Sequence, residues 1–99
     1  MDNLLSVLQS ATSGSRELDD AVLRVAGVRL MSVLPNPQPT RSLDAIVALI
    51  EARGWWWNVE SQFDEHGSLA HVRDHIYGRA ATPPLALCIA FVRAVEAGE

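Results

Sequence analysis

Imidazole, guanidinium and phenol groups alternate along one stretch of the chain, and these groups could bind a ligand. His71, Arg73, His75 and Tyr77 occupy every second position, and Arg79 follows them. Side chains at alternate positions of a strand lie on one face. Guanidinium forks beside aromatic planes suit the recognition of phosphates and bases. The pattern predicts a ligand-binding face, although a solvated strand whose arginines pair with acids would alternate in the same way.

Two of these residues, His71 and His75, could instead serve a metal ion or acid–base catalysis. Alternate side chains of a strand lie roughly 7 Å apart, which is long for one ion without help from a neighbouring strand. No nucleophile elbow, metalloprotease motif or glycine-rich phosphate loop occurs. Cys88 falls on an apolar helix face, and Asp19 with Asp20 suits a helix start. We therefore expect no metal, no cofactor and no catalytic residue.

Three consecutive tryptophans precede this stretch. In a strand, Trp56 must point away from the side that Trp55 and Trp57 face. An exposed tryptophan can anchor a protein interface or stack on a base. We assign Trp56 to the ligand-binding face and Trp55 and Trp57 to an interface, with burial of all three rings in the core as the alternative.

The elements that must position these groups follow from capping residues and hydrophobic periodicity. Along the chain they give the order α-α-β-α-β-β-α. The predicted elements are a helix around residues 4–8, helices from Ser15 to Gly27 and from Ser42 to Gly54, strands at 28–34, 55–60 and 69–77, and a last helix that begins at Thr82. The last two strands are expected to form a hairpin. Apolar residues surround most of the last helix, which predicts burial on most of its sides.

Length and composition indicate one globular domain, and the predicted mixture of helices and strands makes its class α+β. The chain has 99 residues, of which 48% are hydrophobic and 20% charged, as in globular proteins. We expect a single domain over 1–99: an N-terminal helix and linker at 1–15, and a core at 16–98 in which a small three-stranded sheet packs with helices. No apolar run approaches the roughly 18 residues that cross a bilayer, so no membrane partner is expected. The net charge of −4 argues against duplex nucleic acid as a partner.

Three segments carry a family resemblance: RELDDAVLRVAG, PTRSLDAIVALIEARGWWWNV and ATPPLALCIAFVRAVEAGE. Together they resemble the phage ABA sandwich domain family over roughly residues 16–98. The resemblance implies a sheet between helical layers and a small phage or prophage protein, and it carries over no catalytic residue. Since the N-terminus lacks the regions of a signal peptide, the expected location is the cytoplasm of the bacterial host.

Three functions from different classes remain open. The first is a non-enzymatic phage protein that antagonises host defence by sequestering a small nucleotide-like signal. The second is a phage inhibitor that contacts a host defence protein directly, in the manner of an anti-CRISPR protein. The third is a small hydrolase that uses His71 or His75. Because a domain of this size buries a modest core, we also expect a homodimer or a higher homo-oligomer.

Overall fold

The computed structural model describes residues 2–11, 13–27, 39–61, 68–73 and 76–98. The elements within these ranges are α1 (Asp2–Ser10), α2 (Arg16–Ala26), α3 (Leu43–Ala52), β1 (Trp57–Ser61), β2 (Ser68–Val72), β3 (Ile76–Ala80) and α4 (Pro83–Glu96). The predicted α+β class is confirmed, since a three-stranded antiparallel sheet packs against helices. The strand predicted at 28–34 lies outside the described residues.

Local capping explains where the helices begin. Ser15, Ser42 and Thr82 stand before α2, α3 and α4, and each side-chain oxygen accepts a hydrogen bond from the N–H three residues later, at 3.2, 3.4 and 3.4 Å. These bonds satisfy backbone donors that have no partner inside the helix. At the other end of α2, Gly27 adopts a left-handed φ of 64°, which glycine reaches without strain. The predicted starts at these three residues are confirmed.

The helix α4 lies at the centre of the molecule. Every residue from Leu85 to Val92 is 0% exposed. The sheet packs along α4 through β2 and β3, and α1, α2 and α3 also contact it. In α1, from the segment predicted as N-terminal helix and linker, Leu8 is fully buried in the same core. A helix that is apolar on all sides belongs inside a core, so the predicted burial of the last helix is confirmed.

The sheet approaches α4 closely because β3 carries a glycine at the point of contact. The strands follow the order β1-β2-β3, and burial alternates along β2 and β3. A Cβ on Gly78 would lie 2.5 Å from the Ala86 carbonyl oxygen and 2.7 Å from the Ala90 nitrogen. Both atoms belong to the α4 backbone, so no larger residue fits at this spacing.

The prediction of one strand at 69–77 is wrong. β2 ends at Val72 and β3 begins at Ile76, and Arg73 turns the chain with a φ of 59°. Val72 pairs with Ile76 across this turn, so both face the same side of the sheet. Val72 and Ile76 are an even number of positions apart. Odd-numbered side chains of β2 and β3 therefore lie on one face and even-numbered ones on the other, as they would in a single uninterrupted strand. The third strand of the sheet thus comes from this division, and the described order is α-α-α-β-β-β-α.

Candidate functional site

One face of the sheet packs on α4, and the opposite face, which we call the outer sheet face, carries polar and aromatic side chains. Strand pairing arranges them in two rows across the three strands. The first row is Asn58, His71 and Tyr77, and the second is Glu60, Leu69 and Arg79. Four of these residues are exposed and two are half-buried. No described helix covers them.

A pair of aromatic rings stands in the first row. His71 and Tyr77 are direct partners across β2 and β3, and their ring centroids lie 5.4 Å apart at an interplanar angle of 76°. This edge-to-face contact is a favourable arrangement of two rings. Tyr77 nevertheless remains 54% exposed. The neighbouring imidazole thus helps to orient a phenol ring that still presents surface to a ligand.

A positive charge lies beside this ring pair. Arg79 follows Tyr77 by two positions on β3, so their Cα atoms are about 6.6 Å apart along the strand. Both side chains are exposed on the outer sheet face. A guanidinium group offers five N–H donors in a planar fork that matches phosphate or carboxylate oxygens. A flat ring and an anion-binding fork are therefore within reach of one small ligand.

A second exposed ring lies at the other end of the face. The Trp56 carbonyl oxygen accepts a hydrogen bond of 3.0 Å from the Arg73 N–H, which extends the pairing of β1 and β2 through Trp56. Trp56 is separated from Asn58 by two positions, so it faces the same side, and it is 54% exposed. The prediction that Trp56 points away from its two neighbours is confirmed.

The other two tryptophans differ from each other. Trp55 is only 8% exposed, and its ring centroid lies 5.8 Å from that of Phe91 and 5.2 Å from the Arg53 guanidinium carbon. A side chain buried in this way offers little to a partner, so the structure argues against the interface role expected of Trp55. Trp57 is half-buried, and its indole N–H donates to Glu51 Oε2 at 3.1 Å.

One described residue of the predicted binding face, Arg73, does not join it. Because β2 ends at Val72, Arg73 leaves the row that a longer strand would have given it. Its guanidinium carbon lies 6.0 Å from the centroid of the Trp55 ring, at the end of the sheet. His75 lies outside the described residues. The structure therefore brings His71, Tyr77, Arg79 and Trp56 to one face and corrects the placement of Arg73.

A buried ionic cluster that the sequence interpretation missed holds α2 to the segment before α3. The buried Asp19 carboxylate accepts hydrogen bonds from Thr40 N and Oγ1 at 2.8 and 2.5 Å, and from Arg41 Nε and Nη2 at 2.9 and 2.7 Å. The forked contact is the strong, directional form of this pair. Asp19 lies on the same face of α2 as the apolar residues Val22 and Leu23. A carboxylate on an apolar helix face was therefore the sequence signal that could have predicted this cluster.

Cys88 lies near this cluster and is not a nucleophile. Its thiol donates to the Pro39 carbonyl oxygen at 3.2 Å and is fully buried. Burial raises the pKa of the Cys88 thiol well above its ordinary value, and the negative charge of Asp19 raises it further. A neutral, buried thiol is inert. The cluster is therefore a structural clamp, and the predicted burial of Cys88 is confirmed.

The described part of the chain was also searched for a metal-binding cluster and for a membrane-spanning helix. No three His, Cys, Asp or Glu residues there lie close enough together to hold a metal ion. None of the described helices has the length and apolar character needed to cross a bilayer. No family model, curated protein or solved structure matches the chain. Among the described residues, those of the outer sheet face combine exposed rings with an exposed guanidinium group.

Proposed function

We propose that the chain is a non-enzymatic binding protein whose outer sheet face holds a small nucleotide-like ligand. The observation that carries this proposal is the exposed Tyr77 ring, held edge-to-face by His71 and followed on the same face by Arg79. A base stacks on the phenol ring, and a phosphate accepts hydrogen bonds from the guanidinium group. The distance of about 6.6 Å between the two positions suits a ligand that contains both groups.

The strength of these contacts indicates how large the ligand must be. A stacked base contributes about 1–3 kcal/mol, and hydrogen bonds to a charged group contribute about 1.5–3 kcal/mol. Together they amount to about 2.5–6 kcal/mol, which corresponds to dissociation constants from roughly 15 millimolar to tens of micromolar. Sequestering a scarce signal requires tighter binding, which a second base on Trp56 would supply. By strand geometry Trp56 lies about 12 Å from Tyr77 between Cα atoms, so a dinucleotide is the favoured class.

The resemblance to phage domains suggests the biological setting of this proposal. A phage protein that binds a nucleotide signal in the cytoplasm of its host would remove that signal from a defence system. The phage origin, the cytoplasmic location and the defence target stay predictions.

A second function is favoured by the same two exposed rings. Trp56 and Tyr77 are each 54% exposed, and tryptophan and tyrosine are enriched at the energetic centres of protein interfaces. An inhibitor that covers a host defence protein with the outer sheet face would use both rings. The two functions differ in their partner, so a direct binding experiment separates them.

Calorimetric titration with nucleosides, nucleoside monophosphates and dinucleotides tests the first function. Tyr77→Ala should weaken binding at least fivefold, because the stack is lost, and Tyr77→Phe should retain most of the affinity. Arg79→Gln should weaken binding of phosphorylated probes but not of nucleosides. Arg24→Gln is the matched control, since Arg24 is an exposed arginine on α2, which contacts α1 and α4.

Three results would count against this function. If no probe binds at millimolar concentration, the outer sheet face does not hold nucleotides. If a host protein co-purifies with the chain and is lost in Trp56→Ala and Tyr77→Ala, the inhibitor is supported instead. If a bound nucleotide is converted to product and His71→Ala stops the conversion, the hydrolase hypothesis replaces both.

A further inference from the structure

Along an antiparallel strand, the backbone N–H and C=O groups of successive residues point alternately to one side and to the other. This alternation decides which backbone groups point outward at each edge of the sheet. The Arg73 N–H bonds to the Trp56 carbonyl, so positions 56 and 73 form a hydrogen-bonded pair. Such pairs alternate with non-bonded pairs in antiparallel sheets, so the backbone groups of 58 and 60 point toward β2. The residues whose N–H and C=O groups point away from the sheet are therefore Trp57, Val59 and Ser61.

The opposite edge, on β3, is partly closed. The same alternation makes the backbone groups of Tyr77 and Arg79 point outward. The Tyr77 carbonyl oxygen indeed accepts a hydrogen bond of 2.7 Å from Arg93 Nη1, which agrees with this phase. Arg93 belongs to α4, the helix that packs along β3. A side chain thus occupies the edge of β3 where another strand would have to bond.

The edge of β1 has no such protection in the described part of the chain. No backbone group of another described residue bonds to its outward N–H and C=O groups. Natural sheets protect an exposed edge with proline, charged side chains, a bulge or a covering segment. The sequence of β1, WNVES, contains no proline and a single charged residue, Glu60. An unprotected, antiparallel edge is complementary to a second copy of itself.

We infer that two copies of the chain pair through β1 about a twofold axis and form one continuous six-stranded sheet. This inference does not depend on the proposed function, since it uses the backbone edge and not the ligand. Its consequence for the site is that the two outer sheet faces adjoin, and each lies on the same side of the shared sheet.

Side-chain pairing selects one register for this dimer. With Val59 opposite Val59 of the partner subunit, all three outward residues of each β1 find a partner. Asn58 then lies opposite Glu60 of the partner subunit, and this amide–carboxylate pair occurs twice. A register centred on Glu60 would place two carboxylates opposite each other, which is unfavourable, and it would pair fewer outward groups. The register centred on Val59 is therefore the expected one.

Sedimentation velocity and light scattering over a concentration series test this inference. The unmodified chain should show twice the 10.8 kDa mass of one copy. Val59→Pro removes an outward N–H without breaking the ladder to β2, because proline is tolerated where the N–H faces outward on an edge strand. This variant should be a monomer. Arg79→Pro is the matched control: it removes an outward N–H from β3 and should leave the dimer intact.

A pair of substitutions at Asn58 tests the register without depending on the fold of a proline variant. Asn58→Glu places carboxylates opposite Glu60 of the partner subunit and should raise the dissociation constant roughly tenfold. Asn58→Lys creates two opposite-charge pairs and should lower it. A chain that is monomeric at every concentration would overturn the inference. So would a dimer that is unaffected by Val59→Pro, or one that Asn58→Glu and Asn58→Lys change in the same direction.

Discussion

Replacing Gly78 with alanine tests whether this residue sets the distance between the sheet and α4. The added Cβ would lie 2.5 Å from the Ala86 carbonyl oxygen, 2.7 Å from the Ala90 nitrogen and 2.7 Å from Ile89 Cβ. Backbone atoms of a buried helix cannot rotate away, so α4 must shift as a whole. Overpacking of a core costs about 1–3 kcal/mol, and the lack of flexible neighbours places this variant at the upper end.

The measured change should be slightly smaller than the steric cost. Alanine leaves the unfolded chain with less conformational entropy than glycine does, and this raises the free energy of unfolding by about 0.4–1 kcal/mol. The expected net loss is therefore about 2 kcal/mol in the free energy of unfolding. For a domain of this length, this loss lowers Tm by roughly 8–16 °C. Urea unfolding, followed by circular dichroism, and a thermal scan measure both quantities.

Gly27 provides the matched control because it is required for a different reason. A Cβ there meets nothing within 4 Å, but the φ of 64° is left-handed. Gly27→Ala should cost about 1 kcal/mol of backbone strain, and Gly27→Asn should cost less, because asparagine tolerates this conformation. Gly78→Asn should be worse than Gly78→Ala. If Gly78→Ala costs no more than Gly27→Ala, the close approach of α4 does not depend on Gly78.

Three further predictions concern the buried cluster and a helix cap. Asp19→Asn should lower the free energy of unfolding by about 2–3 kcal/mol, because Arg41 loses its forked partner, whereas the exposed neighbour change Asp20→Asn should have little effect in the same urea assay. Because the folded state raises the pKa of Cys88, its thiol stays neutral in the fold while the unfolded thiol ionises near pH 8.5. Stability should be complete below that pH and fall above it by up to about 1.4 kcal/mol per pH unit; the fall should be absent from Cys88→Ala, and an equal slope in both proteins would contradict the assignment. Thr82→Ala removes the cap of α4 and should cost about 1 kcal/mol in a thermal scan, and Thr82→Ser should restore most of that loss.

Local patterns were sufficient for the helices and failed within the sheet. The caps Ser15, Ser42 and Thr82 act over three residues, so the sequence reveals them directly. The division between β2 and β3 was missed because the turn preserves the alternation of side chains and contains neither glycine nor proline. Only strand pairing shows that His71 and Tyr77 face each other across two strands and do not follow each other along one.

The sequence by itself determined the class of the fold, the starts of three helices, the burial of α4 and the opposed orientation of Trp56. These features depend on residues that are close together in the chain. Only the tertiary structure decided that α4 covers one face of the sheet and leaves Tyr77 and Arg79 exposed on the other. It also decided that Asp19 meets Thr40 and Arg41 across 21 and 22 positions. Such contacts depend on how segments that are distant in the chain pack together, and the spacing of residues along the chain does not predict that packing.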